Sequence, residues 1–230
     1  MKAKHLLAVA ALCLFSSHAS AQSTDWNGIY FQYNPSWFTF NVSDTDNEYF
    51  HGFTLGYVKS IPVAGKNLPL FLEVGGNLQY GLYSESRTVN KKQSGVTVKA
   101  EASDKIHMLS LNVPVNFGYS IKLSDGLALN PYIGLKLRLN LMGLETIKGT
   151  VQVGNAKQTE SETVNLYSSS EENMGDSELT WNRFQIGWQF GTKLIVSNSL
   201  FVEAGFGTDF SRIAKHTRTM SVNLGFGYMF

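Results

Sequence analysis

Met220-Ser221-Val222-Asn223-Leu224-Gly225-Phe226-Gly227-Tyr228-Met229-Phe230 alternates without a slip. Met220, Val222, Leu224, Phe226, Tyr228 and Phe230 fall on one face, and Ser221, Asn223, Gly225, Gly227 and Met229 on the other. A period of two is the signature of a strand with one apolar side. Chain ends are usually polar and frayed. A strand that closes a barrel in lipid must instead stay apolar to its end, because an open edge would leave backbone groups without partners. The segment therefore predicts a closing strand facing hydrocarbon.

The other end of the chain agrees. Lys2 and Lys4 precede an apolar run from Leu6 to Phe15 and the small-residue triplet Ala19-Ser20-Ala21. This pattern predicts a cleavable signal peptide over residues 1–21 and one mature domain over residues 22–230. Cys13 leaves with the signal, so disulfides, thiolate metal sites and thiol catalysis are excluded from the mature chain. Removing Lys2 and Lys4 leaves 17 Lys and Arg against 18 Asp and Glu, a balance that calls for no nucleic-acid partner. No later apolar stretch is long enough for a membrane helix.

The same period recurs over residues 28–40, 50–61, 70–83, 106–122, 127–142, 182–196, 200–212 and 219–230. Tight links at 62–69, 123–126 and 197–199 alternate with the connections 41–49, 84–105, 143–181 and 213–218, which are mostly long. Short turns at one end and long loops at the other describe an eight-stranded antiparallel up-and-down transmembrane β-barrel. Both termini are expected on the short-turn, periplasmic side. Two hairpins test the register. Around Ser124-Asp125-Gly126, Phe117 falls opposite Ile133, Val115 opposite Leu135 and Leu111 opposite Leu139, with Asn112 opposite Arg138 on the other face. Around Ser197-Asn198-Ser199, Phe190 meets Phe206 and Leu194 meets Val202, while Lys193 meets Glu203.

A soluble barrel would turn the apolar face inward, and a membrane barrel turns it outward. Three features favour the membrane. The polar face is rich in glycine, including Gly56, Gly118, Gly134 and Gly227, as a crowded interior requires. Aromatic residues gather near strand ends, Trp37, Phe53, Phe184 and Phe210 on the loop side and Tyr57, Tyr119, Tyr228 and Phe230 on the turn side. Charged residues are only 16% of the chain, below the level of soluble domains.

The export signal, the alternating strands, the run Leu109-Ser110-Leu111-Asn112-Val113-Pro114-Val115-Asn116-Phe117-Gly118-Tyr119, the segment Pro131-Tyr132-Ile133-Gly134-Leu135 and terminal Phe230 carry a resemblance. The chain resembles the small outer-membrane β-barrel family of Gram-negative bacteria, the PorT-like and OmpX-like group. The resemblance spans the mature chain and implies a multi-pass protein of the outer membrane. It says little about activity, since similar barrels include structural anchors and adhesins.

The inward set contains Glu73, Lys136, Arg138, Arg183, Lys193, Glu203 and Asp209, expected to form a network of ion pairs that fills so narrow a lumen. The competing reading is a narrow channel or conduit for small or apolar solutes. Enzymatic activity, including lipid modification, is not expected. His51, His107 and His216 gather at the loop-side rim without a nucleophile and acid in a recognisable pattern. Their spacing gives no metal motif, and no cofactor site is expected. Pro114 and Pro131 interrupt strands, so a bulge or local bend is expected at each. Loops 84–105 and 143–181 are the remaining place for function, as cover or as a site for a protein or surface ligand. Alternation over Val96–Lys99, Thr146–Val153 and Thr163–Tyr167 allows these loops to extend the strands into a protruding sheet whose free edge offers strand addition. The expected product is a monomeric structural or surface-interaction barrel in contact with membrane lipid.

Overall fold

The computed structural model describes residues 24–40, 48–63, 68–93, 96–154, 156–167, 181–197, 199–213 and 217–230. The expected signal peptide with Cys13, and also His216 and Asn198, lie outside the described residues. Every regular element among the described residues is a strand: β1 (Trp26–Tyr33), β2 (Ser36–Phe40), β3 (Glu48–Pro62), β4 (Leu70–Gln93), β5 (Val96–Tyr119), β6 (Ile121–Ser124), β7 (Leu127–Val153), β8 (Ala156–Asn165), β9 (Phe184–Val196), β10 (Leu200–Asp209) and β11 (Thr217–Met229).

These make eight wall strands. β1 and β2 keep one register against β3 and against β11, so they are a single strand interrupted at Asn34-Pro35. Pro35 lacks an N–H, although its carbonyl still accepts from Val222 N at 3.0 Å. β6 continues β5 past Ser120 in the same way. The ring runs β1, β3, β4, β5, β7, β9, β10 and β11, and the β1–β11 pairing closes it. The terminal strand is therefore the eighth wall strand, with Phe31 opposite Phe226 and Ile29 opposite Tyr228.

Both expected hairpin registers occur. Phe117 pairs with Ile133, Val115 with Leu135 and Leu111 with Leu139. Leu194 pairs with Val202, Lys193 with Glu203 and Phe190 with Phe206. Gly126 closes the first turn at φ +79°, a left-handed conformation suited to glycine.

The segments read as long loops are largely strand. β4 and β5 stay paired as far as Gln93 and Val96, and β7 and β8 stay paired as far as Val153 and Ala156. Loop 84–105 is thus largely a β-hairpin, and most of loop 143–181 is a second one. β4, β5, β7 and β8 form a four-stranded sheet that rises beyond the closed ring, with β8 on its edge. The β5–β7 register shifts at Leu109/Ser110, so Leu141 is an extra residue on β7. This bulge inverts the parity of β7. Leu135, Leu137 and Leu139 face outward below it, whereas Ile147, Val151 and Val153 share the face of inward Ile106 above it. Of the bulge or local bend expected at each proline, no bulge is found: Pro131 pairs in register with Thr192, and at Pro114 the β4–β5 ladder lapses beside Gly75 and Gly76 without a change of register.

Burial is inverted relative to a water-soluble domain. Leu55, Ile133 and Phe226 are 67%, 60% and 63% exposed, while Lys193, Asp209 and Gln185 are 2%, 2% and 0% exposed. The outward face carries aromatic contacts such as Trp188 with Phe190 at 5.5 Å and Phe31 with Phe226 at 5.9 Å. Crowding explains the inward glycines. A Cβ on Gly134 would lie 2.2 Å from the Val115 carbonyl, and one on Gly118 2.2 Å from the Phe71 ring.

Candidate functional site

The interior is built in three layers. On the turn side Trp26, Tyr30, Val58, Ala128, Ile195, Phe201 and Met229 form an apolar cluster. On the loop side Phe50, Tyr83, Ile106, Met108, Leu166 and Ile213 form another, with Trp181 packed against it. The polar lumen lies between these two stoppers. Sequence alternation places Met229 on the inward face among polar residues and glycines but marks no apolar cluster there. In the turn-side cluster Tyr30, Val58, Ile195, Phe201 and Met229 are paired strand residues of inward parity, while the loop-side cluster adds Leu166 and Trp181 from outside the strands.

Six of the seven residues expected in the lumen network are buried there, in two groups. In the first, Lys193 Nζ donates to Glu73 Oε2 and lies 4.0 Å from Glu203 Oε2. Asn116 Nδ2 donates to Glu73 Oε1 at 3.0 Å, and the Tyr132 hydroxyl donates to Glu203 Oε1. The Lys193 ammonium also sits 5.3 to 5.5 Å from the ring centres of Phe201, Tyr132 and Trp26, within cation–π range. In the second group Arg138 donates to Asp209 Oδ2 at 3.0 Å and to Asn112 Oδ1 at 3.1 Å, and Lys136 lies 3.8 Å from Asp209 Oδ1. Asn112 donates to Asn77 at 2.8 Å, and Asn77 donates to the Tyr30 hydroxyl at 2.8 Å, which carries the second group to a ring lining the same void as Glu73, Lys193 and Glu203.

Arg183 is the correction. It shares the inward parity of β9, but β9 begins only at Phe184, so Arg183 projects from the rim. It is exposed, reaches the Leu141 carbonyl at 3.4 Å and lies 5.2 Å from the Tyr167 ring centre. Without it the buried charges balance, with Lys136, Arg138 and Lys193 against Glu73, Glu203 and Asp209. Balance matters because an uncompensated charge at this depth is heavily penalised. Among the described residues the lumen keeps small voids. One of about 30 Å³ is lined by Glu73, Asn77, Lys193 and Glu203, and another of about 30 Å³ by Gln79, Ser110 and Arg138. Each has room for a water or two.

The rim histidines engage tyrosines. His51 Nδ1 lies 2.7 Å from the Tyr33 hydroxyl and His107 Nδ1 2.5 Å from the Tyr80 hydroxyl. Ser110 is on the other side of the wall, donating to Asn140 at 2.7 Å. Among the described residues no group of three or more His, Cys, Asp or Glu side chains is placed to hold a metal.

The projecting sheet has two unlike faces. Register places Glu85, Arg87, Val89, Lys91, Asp104, Glu145, Ile147, Val151, Glu160 and Glu162 on the face continuous with the lumen. Lys92, Lys99, Lys105, Lys148 and Lys157 share the opposite face, among serines and threonines. The Asp104 carboxyl is held above the usual range by partial burial and the Glu85 charge. The Glu145 carboxyl is raised by partial burial and by Asp104. On the basic face Glu101 is held low, chiefly by its bond to Lys99.

The family described as "Outer membrane protein beta-barrel domain" matches residues 7–230. No curated protein sequence matches the chain. Among solved structures, the attachment invasion locus protein Ail of Yersinia pestis is 12% identical, with 90% of this chain and 99% of that chain covered at a TM-score of 0.37. Neisserial surface protein A is 12% identical, covering 89% and 97% at a TM-score of 0.39. The N-terminal barrel of Pseudomonas aeruginosa OprF is 14% identical, covering 91% and 100% at a TM-score of 0.31.

Proposed function

The chain belongs to the outer membrane protein β-barrel domain family, and from that premise we propose that it is a non-enzymatic, monomeric barrel with a sealed lumen that holds a rigid sheet above the membrane as its working surface. Its place is the outer membrane, and its wall contacts lipid. The observation that carries the reading is the pairing of β4 with β5 and of β7 with β8 far beyond the ring, over a lumen stoppered at both ends. A loop serving only as hydrophilic cover needs no such ladder, whereas a surface that meets a partner gains from being ordered in advance. A channel would need a continuous polar path, and the apolar stoppers and paired charges oppose one. We read residues 1–21 as an export signal removed before assembly, and the termini as periplasmic.

The test is to shorten the sheet. Joining Arg87 to Ala102 and Gly149 to Glu160 through two-residue turns removes the tips of both hairpins at positions already paired. The expected result is normal membrane assembly with loss of binding to whole cells or matrix by bacteria bearing the protein. Failure of assembly would make the sheet part of the barrel's folding core, and unchanged binding would overturn the reading.

A further inference from the structure

The outward face of the projecting sheet carries Lys92, Lys99, Lys105, Lys148 and Lys157 against a single acid, Glu101, a formal +4. The opposite face carries Glu85, Asp104, Glu145, Glu160 and Glu162 against Arg87 and Lys91, a formal −3. The sequence conceals this separation, because charges of both signs alternate along each hairpin. The Leu141 bulge produces it by bringing Lys148 onto the face of Lys105 and Lys99. The lysines gather closely enough that Lys157 and Lys148 add to Lys99 in holding the Glu101 carboxyl low. Lys105, Lys148 and Lys157 are exposed, and among the described residues they form no ion pair.

We propose that this basic face binds the anionic, phosphate-bearing headgroups of lipids in the leaflet beside which it rises. The lipid-facing side of β5, Val113, Leu111 and Leu109, continues upward on the same face through His107 to Lys105, Ser103 and Lys99. Tyr80 and His107, in contact at 2.5 Å, mark the interface, where amphipathic rings settle. Lys105 lies two residues beyond, roughly 7 Å along the strand, at headgroup depth. Lys99 lies six residues farther, about 20 Å along the strand. Between the lysines Ser84, Ser86, Ser103, Thr146, Ser161 and Thr163 offer hydroxyl partners to phosphate esters. Among the described residues this face has no large apolar side chain above the row of Leu82 and Leu144, so it lacks the anchor a protein partner requires. The exposed apolar residues, Val89, Ile147 and Val151, lie on the other side. The inference needs only the membrane placement and stands or falls separately from the sealed lumen.

The full chain, folded in neutral detergent, is titrated with dioleoylphosphatidylglycerol or dioleoylphosphatidylcholine, and bound lipid is read by native mass spectrometry. Wild type is expected to favour the anionic lipid. That preference should fall at least about fivefold in K105Q/K148Q, roughly what one lysine near an anionic surface contributes, and persist in K105R/K148R. Equal binding of the two lipids by wild type would overturn the proposal, and this comparison holds even where a variant fails to fold. A preference kept in K105Q/K148Q, or lost only in K99Q/K157Q, would place the anion away from the bilayer and overturn it too.

Discussion

Lys193 of β9 and Glu73 of β4, 120 residues apart in sequence, meet inside the barrel as a buried ion pair with Glu203 beside it. One cation between two carboxylates makes Lys193 the member whose loss is least tolerable. Lys193→Ala would leave two buried acids without a cation and should cost about 3 to 5 kcal/mol. Lys193→Met combined with Glu73→Gln and Glu203→Gln removes the charges together and should recover most of that loss. Urea unfolding in lipid vesicles measures both, and equal destabilisation would show that the charges are not what Lys193 supports.

The outward face is testable at Leu135, which is 51% exposed and opposite Val115 in mid-wall. Leu135→Arg should cost about 2 to 4 kcal/mol if it meets hydrocarbon, whereas Thr159→Arg on β8 should be close to neutral. Asn116 makes a poor reference for such a test, because it binds Glu73 and accepts from Gln189 at 2.7 Å. Comparable losses at positions 135 and 159 would contradict the lipid-facing assignment.

Interior crowding separates two glycines. Gly134→Ala drives a Cβ to 2.2 Å from the Val115 carbonyl and 2.3 Å from the Asn116 amide oxygen, while one on Gly76 meets nothing within 4 Å. Overpacking of this kind costs about 1 to 3 kcal/mol. Gly134→Ala should therefore lower the unfolding midpoint and Gly76→Ala should not. The reverse order in the same denaturation assay would refute a packed lumen.

Asp104 and Glu145 set a pH dependence for the base of the projecting sheet. Both carboxyls are raised in the folded protein, first by partial burial. A raised carboxyl binds its proton more tightly when folded, so its contribution is full below the ordinary carboxylate range and is lost as pH rises through the raised value. Amide exchange at Ile106 and Ile147 should slow at mildly acidic pH beyond the intrinsic trend. Asp104→Asn with Glu145→Gln should abolish that difference, and a difference surviving in the double variant would assign it elsewhere.

The wall was legible in the sequence because lipid outside and a narrow interior enforce strict alternation. The two tight hairpins fixed their own registers through residues such as Phe117 with Ile133 and Lys193 with Glu203. Misreading grew where that constraint ends. Above the membrane both faces of a strand meet water, so residues 84–105 read as a connection in which only the alternation over Val96–Lys99 pointed to the ladder they form. The Leu141 bulge leaves no mark in composition, yet it decides which face carries Lys148. Arg183 was assigned by parity to the lumen, but parity has no meaning one residue before a strand begins.

Single-channel recording of the refolded full chain in planar bilayers tests the sealed lumen most directly. Stoppers at both ends, with Arg138 bound to Asp209 and Lys193 to Glu73 between them, predict a flat baseline under applied voltage. Reproducible open-channel steps from the wild-type protein would contradict it.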